Sequence, residues 1–198
     1  MQKKFFIIMG RSGSGKGTQA LLLKEKLENL HYGDVKHVTT GGGFRALSER
    51  GDYTSRKSVE LTENGGLSPE FLAIWNWSNI FMQELKEDTT VILDGAPRRL
   101  IEVEALHNLF PFYGYEYPVV IYLDVSETWA VNKLASRLRA DDASSEERER
   151  KMKWFFDDVL PCVASFKNNP LYTFVRINGE RSIEEVSKDI EAQVLGTH

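Results

Sequence analysis

Cysteine is almost absent from this chain: Cys162 is the only one in 198 residues. One thiol excludes an internal disulfide and any zinc site built on four thiolates, and it fits a reducing compartment. Long apolar runs are lacking too. No stretch approaches the ~20 apolar residues that cross a bilayer, and Met1-Gln2-Lys3-Lys4 precedes only five apolar residues, Phe5 to Met9, too few for a secretory leader. A cytoplasmic protein with no membrane partner is the expectation. Basic charge is not in excess either. The 25 Lys and Arg stand against 29 Asp and Glu, a formal net charge of −4, which argues against nucleic acid as the main partner. Internal repeats, low-complexity tracts and long linkers are also missing. What is present is 41% apolar and 27% charged residues, the balance of one globular domain with a substantial core.

The chain is organised around Gly10-Arg11-Ser12-Gly13-Ser14-Gly15-Lys16-Gly17-Thr18-Gln19. This stretch follows the apolar run Phe5–Met9 and opens the helical pattern Ala20–Leu27, so it reads strand, glycine loop, helix. Such a loop turns several backbone N–H groups toward one point, the helix behind it adds its positive end, and Lys16 supplies a full charge. That is a phosphate cradle. The residue after Lys16 is Gly17 and the hydroxyl comes one later, at Thr18, which leaves Mg²⁺ coordination by the loop hydroxyl open.

A short apolar run followed by a helical pattern recurs along the chain: Phe5–Met9 with Gly17–Leu30, Lys36–Thr39 with Gly43–Arg50, Thr90–Leu93 with Arg99–Phe110, Val119–Asp124 with Glu127–Leu138, and Tyr172–Ile177 with Ile183–Leu195. Five strands alternating with helices imply right-handed crossovers and a parallel sheet covered on both faces, with ligands beyond the carboxyl ends of the strands. Residues 41 to 88 read as helices only. Ser68 is the expected N-cap, with Pro69 in the first turn, of a helix through Leu85, and Trp75 and Trp77 are expected in the core.

Asp94 ends a buried strand, either holding Mg²⁺ beside the loop or capping the next turn, and the following Arg98 and Arg99 favour function. Ser126 is the expected N-cap of the helix that carries Lys133. Arg137 and Arg139 would point about 200° apart on a continuous helix, so the chain must leave the helix there if both reach one ligand. Ser144 and Glu147 have capping-box spacing, and Pro161 is expected to kink or end the helix they start near Leu160. Glu146 to Lys153 reads equally as a solvated face, Arg150 apart.

Taken in order, the loop Gly10–Gln19, the segment Thr39-Thr40-Gly41-Gly42-Gly43-Phe44-Arg45, Gly65-Gly66-Leu67-Ser68-Pro69-Glu70, Asp94-Gly95-Ala96-Pro97-Arg98, Arg137 with Arg139-Ala140-Asp141-Asp142 and Arg150, and Asn178–Val186 resemble the motifs of the adenylate kinase family of nucleoside monophosphate kinases. The resemblance covers essentially the whole chain. It implies a P-loop NTPase fold, a three-layer α/β/α domain over 1–198 with a five-stranded parallel sheet, a helical insertion at 40–88 that binds the monophosphate, and a vestigial lid at 137–142. It also implies a monomer that transfers the terminal phosphoryl group of ATP, with Mg²⁺, to a nucleoside monophosphate, AMP above all.

Residue by residue, the resemblance assigns ATP to Gly13, Ser14, Gly15, Lys16, Gly17, Thr18 and Lys133. The monophosphate goes to Thr40, Arg45, Leu67, Ser68, Gly95, Arg98 and Glu102, and Asp94 holds the metal through water. Lys16, Arg98, Arg137, Arg139 and Arg150 would be the catalytic residues, the last three neutralising the group in flight. Several positions depart from the family. Gly42 stands for an aspartate and Ala96 for an aromatic. Glu102 stands where a glutamine reads the adenine of AMP; a carboxylate only accepts, so it suits guanine better or is a solvated helix residue. Lys133 replaces an arginine that stacks on the ATP base. The short lid should exclude water less well. A kinase for GMP, CMP, UMP or a deoxynucleotide, and a catalytically weak nucleotide sensor, are the alternatives.

Overall fold

The computed structural model describes residues 3–63, 68–136 and 144–196. Five strands, β1 (Phe5–Gly10), β2 (Val35–Thr39), β3 (Thr90–Asp94), β4 (Val119–Asp124) and β5 (Thr173–Asn178), form one parallel sheet in the order β2-β3-β1-β4-β5. Nine helices among the described residues accompany them: α1 (Lys16–Asn29), α2 (Thr40–Glu49), α3 (Tyr53–Glu63), α4 (Glu70–Glu84), α5 (Leu100–Tyr113), α6 (Glu127–Ala135), α7 (Ser145–Trp154), α8 (Leu160–Lys167) and α9 (Ile183–Val194). This is the P-loop NTPase α/β fold.

β1 is central and buried on both sides, which is why its sequence shows no polar alternation. Its side chains still divide by the strand period of two. Phe5, Ile7 and Met9 pack with α4, α5 and α8 on one face, whereas Phe6 and Ile8 pack with α1 and α9 on the other. Phe5 is met edge-on by Phe81 at 5.8 Å, Phe110 at 5.0 Å and Tyr115 at 5.1 Å between ring centroids, each such pair adding about 0.5–1.5 kcal/mol to plain burial. Pairing of β1 with β3 sets Ile8 against Asp94, and pairing with β4 sets Gly10 against Leu123. The carboxylate thus comes beside the loop that follows Gly10.

Local expectations are met in some places and shifted in others. Ser126 and Ser144 cap α6 and α7 through their hydroxyls as expected, and Ser182, not singled out from the sequence, caps α9 in the same way. Ser68 does not cap α4: Pro69 is the cap, at φ −56° and ψ 148°, and its carbonyl accepts from Leu72 and Ala73. Proline can take that role because its fixed φ suits the residue entering a helix. Trp77 is buried at 2% exposure, but Trp75 is 38% exposed, so only one of the two tryptophans serves the core. α5 continues past Phe110 through Pro111 and closes at Gly114, where the Tyr115 N–H bonds the Phe110 carbonyl at 2.8 Å. α6 ends at Ala135, short of Leu138.

Pro161 does not end its helix. α7 passes through a π-helical turn, Phe155–Val159, into α8, and Pro161 falls in the first turn of α8. The missing N–H costs little there, because the wider turn before it takes up the offset that a proline imposes.

Candidate functional site

The loop between β1 and α1 is shaped by backbone. Gly15 caps α1 at φ 93° and ψ 8°, a left-handed conformation that a Cβ would penalise, and the N-terminus of α1 that follows carries the positive end of the helix dipole, which favours an anion. Gly13 packs beneath α6, and the buried Ser14 keeps an unpartnered hydroxyl. The Lys16 ammonium bends back to donate to the carbonyls of Gly10 at 2.9 Å and Arg11 at 2.8 Å, a positive charge held at the rim of the loop. Arg11 lies over the rings of Phe155 at 4.3 Å and Phe156 at 4.7 Å, tying the loop to the π turn.

Asp94, at the end of β3, looks onto this loop. A Cβ on Gly17 would lie 3.5 Å from its Oδ2, and His37 Nε2 lies 3.7 Å from the same oxygen. Among the described residues no group of three or more His, Cys, Asp or Glu could hold a metal ion. The donor set nevertheless fits Mg²⁺, which keeps most of its water and takes one or two carboxylates beside substrate phosphates. Thr18 is exposed on the first turn of α1.

Opposite the loop, six residues form a ring of hydrogen bonds. Asn76 of α4 donates from Nδ2 to the Thr40 carbonyl at 2.9 Å, and the Thr40 hydroxyl donates to the Gly95 carbonyl at 3.0 Å. Arg98 Nε donates to that same carbonyl at 3.0 Å. Glu102 then accepts the N–H of Arg98 at 3.0 Å and of Arg99 at 3.2 Å on Oε1, and the Trp77 indole N–H at 3.2 Å on Oε2. Trp77 is the neighbour of Asn76, which closes the ring. Burial pulls Arg98 below its ordinary guanidinium value, opposed by the carboxylates of Glu102 and Asp94. Arg99 turns away to bond the Ser68 carbonyl at 3.0 Å and lies 3.7 Å from Asp158.

Between the two sides is a cavity of about 60 Å³, lined among others by Gly10, Ser12, Lys16, Gly95, Arg98 and Lys151. Of the residues singled out from the sequence, Lys16, Gly95 and Arg98 meet there. Thr40 is buried behind Gly95, and Arg45 is exposed on α2, its guanidinium 3.4 Å from where a Cβ of Gly41 would be. Lys133 lies over the Trp129 ring at 4.9 Å. Arg150 is on α7 and does not line the cavity; its neighbour Lys151 does. Arg137, Arg139 and Leu67, with the lid segment 137–142, fall outside the described residues.

Glu102 requires a correction. At 3% exposure it is no solvated helix residue, and three N–H donors already occupy the carboxylate that the sequence resemblance places at a base. Sequence reasoning also missed Lys151, Trp154 and Asp158, all of which line the cavity. The charged run Glu146–Lys153 gave no sign of which position turns inward, because charged residues fill every face of α7.

Residues 8–171 match the adenylate kinase family. An adenylate kinase of Corynebacterium diphtheriae is 30% identical over 190 residues, with 96% of each chain covered. One of Stenotrophomonas maltophilia is 30% identical over 194 residues, again with 96% of each chain covered, and one of a Nitratiruptor species is 29% identical over 194 residues, covering 98% of this chain and 96% of its own.

Proposed function

Given that the chain belongs to the adenylate kinase family, and so to the nucleotide-binding phosphotransferases, we propose that it transfers the terminal phosphoryl group of ATP to AMP, giving two ADP. The observation that carries this reading is the shared cavity: Lys16 of the glycine loop and Arg98 of the ring line the same space, so a donor and an acceptor phosphate bound to them lie side by side. Phosphoryl transfer needs in-line placement and charge compensation rather than a nucleophilic side chain. The loop amides and Lys16 bind the triphosphate. Arg98, with Arg45 on α2, binds the acceptor phosphate, and residues 40–88 carry the acceptor site. Arg137, Arg139 and Arg150 neutralise charge on the group in transfer. Asp94 orients the water shell of Mg²⁺, which when bound offsets negative charge on the triphosphate.

One observation favours a second reading, a different nucleoside monophosphate as acceptor: the position at which the family reads adenine is occupied here by a buried carboxylate with three N–H partners. A product assay decides. Protein, ATP and Mg²⁺ are incubated with AMP, GMP, CMP, UMP and the deoxynucleotides in turn, and the nucleotides are separated. ADP formed with AMP in clear preference supports the proposal, and preference for another acceptor replaces AMP with it. ATP binding without transfer to any acceptor makes the protein a sensor.

A further inference from the structure

Glu102 is a glutamate for a reason visible in its surroundings. Capping boxes accept glutamate and glutamine alike at this helix position, and the N–H groups of Arg98 and Arg99 would be satisfied by either. Trp77 would not. Its indole nitrogen is a donor only, it points at Oε2 from 3.2 Å, and both residues are buried. A glutamine whose carbonyl oxygen served the two backbone N–H groups would turn its NH₂ toward the indole N–H, donor against donor, in a place water does not reach. Leaving such groups unsatisfied is expensive.

What the carboxylate holds is also defined. It fixes the backbone of Arg98, whose side chain lines the cavity, and it fixes α4 through Trp77. One residue earlier on the same helix, Asn76 holds the Thr40 carbonyl at the start of α2. Gly95 accepts from Thr40 and from Arg98, so α4 is tied through Thr40 to the same carbonyl that holds the Arg98 side chain.

We infer that Glu102 is a positioning residue that sets the Arg98 guanidinium for the acceptor phosphate and locks it to α4 through Trp77, and that it does not read the acceptor base. This rests on the phosphotransferase reading above. Base discrimination then falls to other residues, and residue 102 acts on every acceptor equally.

The test is a cycle of Glu102→Gln, Trp77→Phe and the double variant. Each is assayed with AMP, GMP, CMP and UMP, with ATP binding and thermal midpoint measured in parallel. Glu102→Gln should lower kcat/KM for the acceptor about tenfold, as expected for a misplaced phosphate contact. The loss should be the same for every acceptor, with ATP affinity within about twofold of wild type. In the Trp77→Phe background the donor is gone, and the same change should cost only about threefold.

A change in acceptor ranking on Glu102→Gln would make the residue a base reader and overturn the inference. So would independent, additive losses, or a lower thermal midpoint with unchanged kcat/KM. If wild type transfers to no acceptor, the phosphotransferase proposal fails on its own, and calorimetric titration of AMP decides the inference instead. Binding about tenfold weaker in Glu102→Gln supports it; equal binding, or none to wild type, overturns it.

Discussion

The two walls of the cleft are built from different materials. The donor wall is backbone: a glycine loop between β1 and α1, N–H groups at a helix end, and one lysine. The acceptor wall is held by side chains: a ring, buried at Asn76, Thr40, Glu102 and Trp77 and half-buried at Gly95 and Arg98, that draws on α2, α4, α5 and the end of β3. A backbone cradle depends on local conformation and tolerates change around it. A side-chain ring depends on every member, because each buried donor or acceptor that loses its partner keeps its desolvation cost. Damage should therefore stay local on the donor wall and spread on the acceptor wall.

The largest effects come from removing Lys16 from the donor wall or Arg98 from the acceptor wall, both of which line the cavity. Lys16→Ala should cost both ATP affinity and transfer. Arg98→Ala should lower transfer by about 10³-fold or more, the scale on which arginines act in phosphoryl transfer, while ATP affinity stays nearly unchanged. Steady-state kinetics with a direct ATP-binding titration separate the two. Loss of ATP binding in Arg98→Ala would erase the division between the walls.

A smaller effect is expected from single methyl groups. A Cβ on Gly43 would lie 1.8 Å from Asn76 Oδ1 and 2.8 Å from its Cγ, so Gly43→Ala must push Asn76 from its buried seat and break the bond to Thr40. The cost is about 1–3 kcal/mol of stability, with a raised acceptor KM and an unaltered ATP Kd. Gly15→Ala offers the matched change on the donor wall. Nothing crowds that position within 4 Å, and only the φ of 93° is at stake, worth about 1–2 kcal/mol, with ATP binding as the function that weakens. Urea midpoints and the two ligand titrations check the pair; the same pattern of losses in both variants would break the comparison.

These differences in material also decide what the sequence could convey. The sheet and its helices were legible because each strand is an apolar run and each crossover a helical pattern. The loop was legible because its chemistry is local, ten residues between a strand and a helix. The ring was not. Asn76 and Thr40 lie 36 positions apart, and Trp77 and Glu102 lie 25 apart; nothing in the local pattern says that they meet. Glu102 read as a base contact or a solvated residue, because burial is a property of the fold and not of the helix that carries it. Lys151 was lost in a charged run, whose local pattern does not mark the position that faces the cavity. Trp75 and Trp77, two apart on one helix, could not both face the core.

Alkaline pH separates the two faces of the sheet. Burial raises the Cys162 thiol to about 12, with Glu102 and Asp158 adding to the effect, and raises the Tyr122 phenol to about 12, assisted by Asp124. Burial raises Tyr115 and Tyr172 still further. All four belong to the cluster packed under α4, α5 and α8. Each of these groups stays protonated in the fold when the unfolded chain, near 9.0 for the thiol and 10.0 for the phenols, has begun to lose its protons. Between those values the unfolded state binds fewer protons, so stability falls as pH rises. It should be level up to about pH 8.5 and decline from about pH 9 toward 12. Urea midpoints at pH 7, 8.5 and 10.5 measure the decline, and Tyr122→Phe should reduce its slope by removing one titrating group. The acceptor wall rests on this face, so acceptor KM should rise over the same interval before ATP binding weakens. A midpoint that stays level to pH 10.5, or ATP binding that fails first, would place the alkali-sensitive contacts elsewhere and remove the link between this face and the ring.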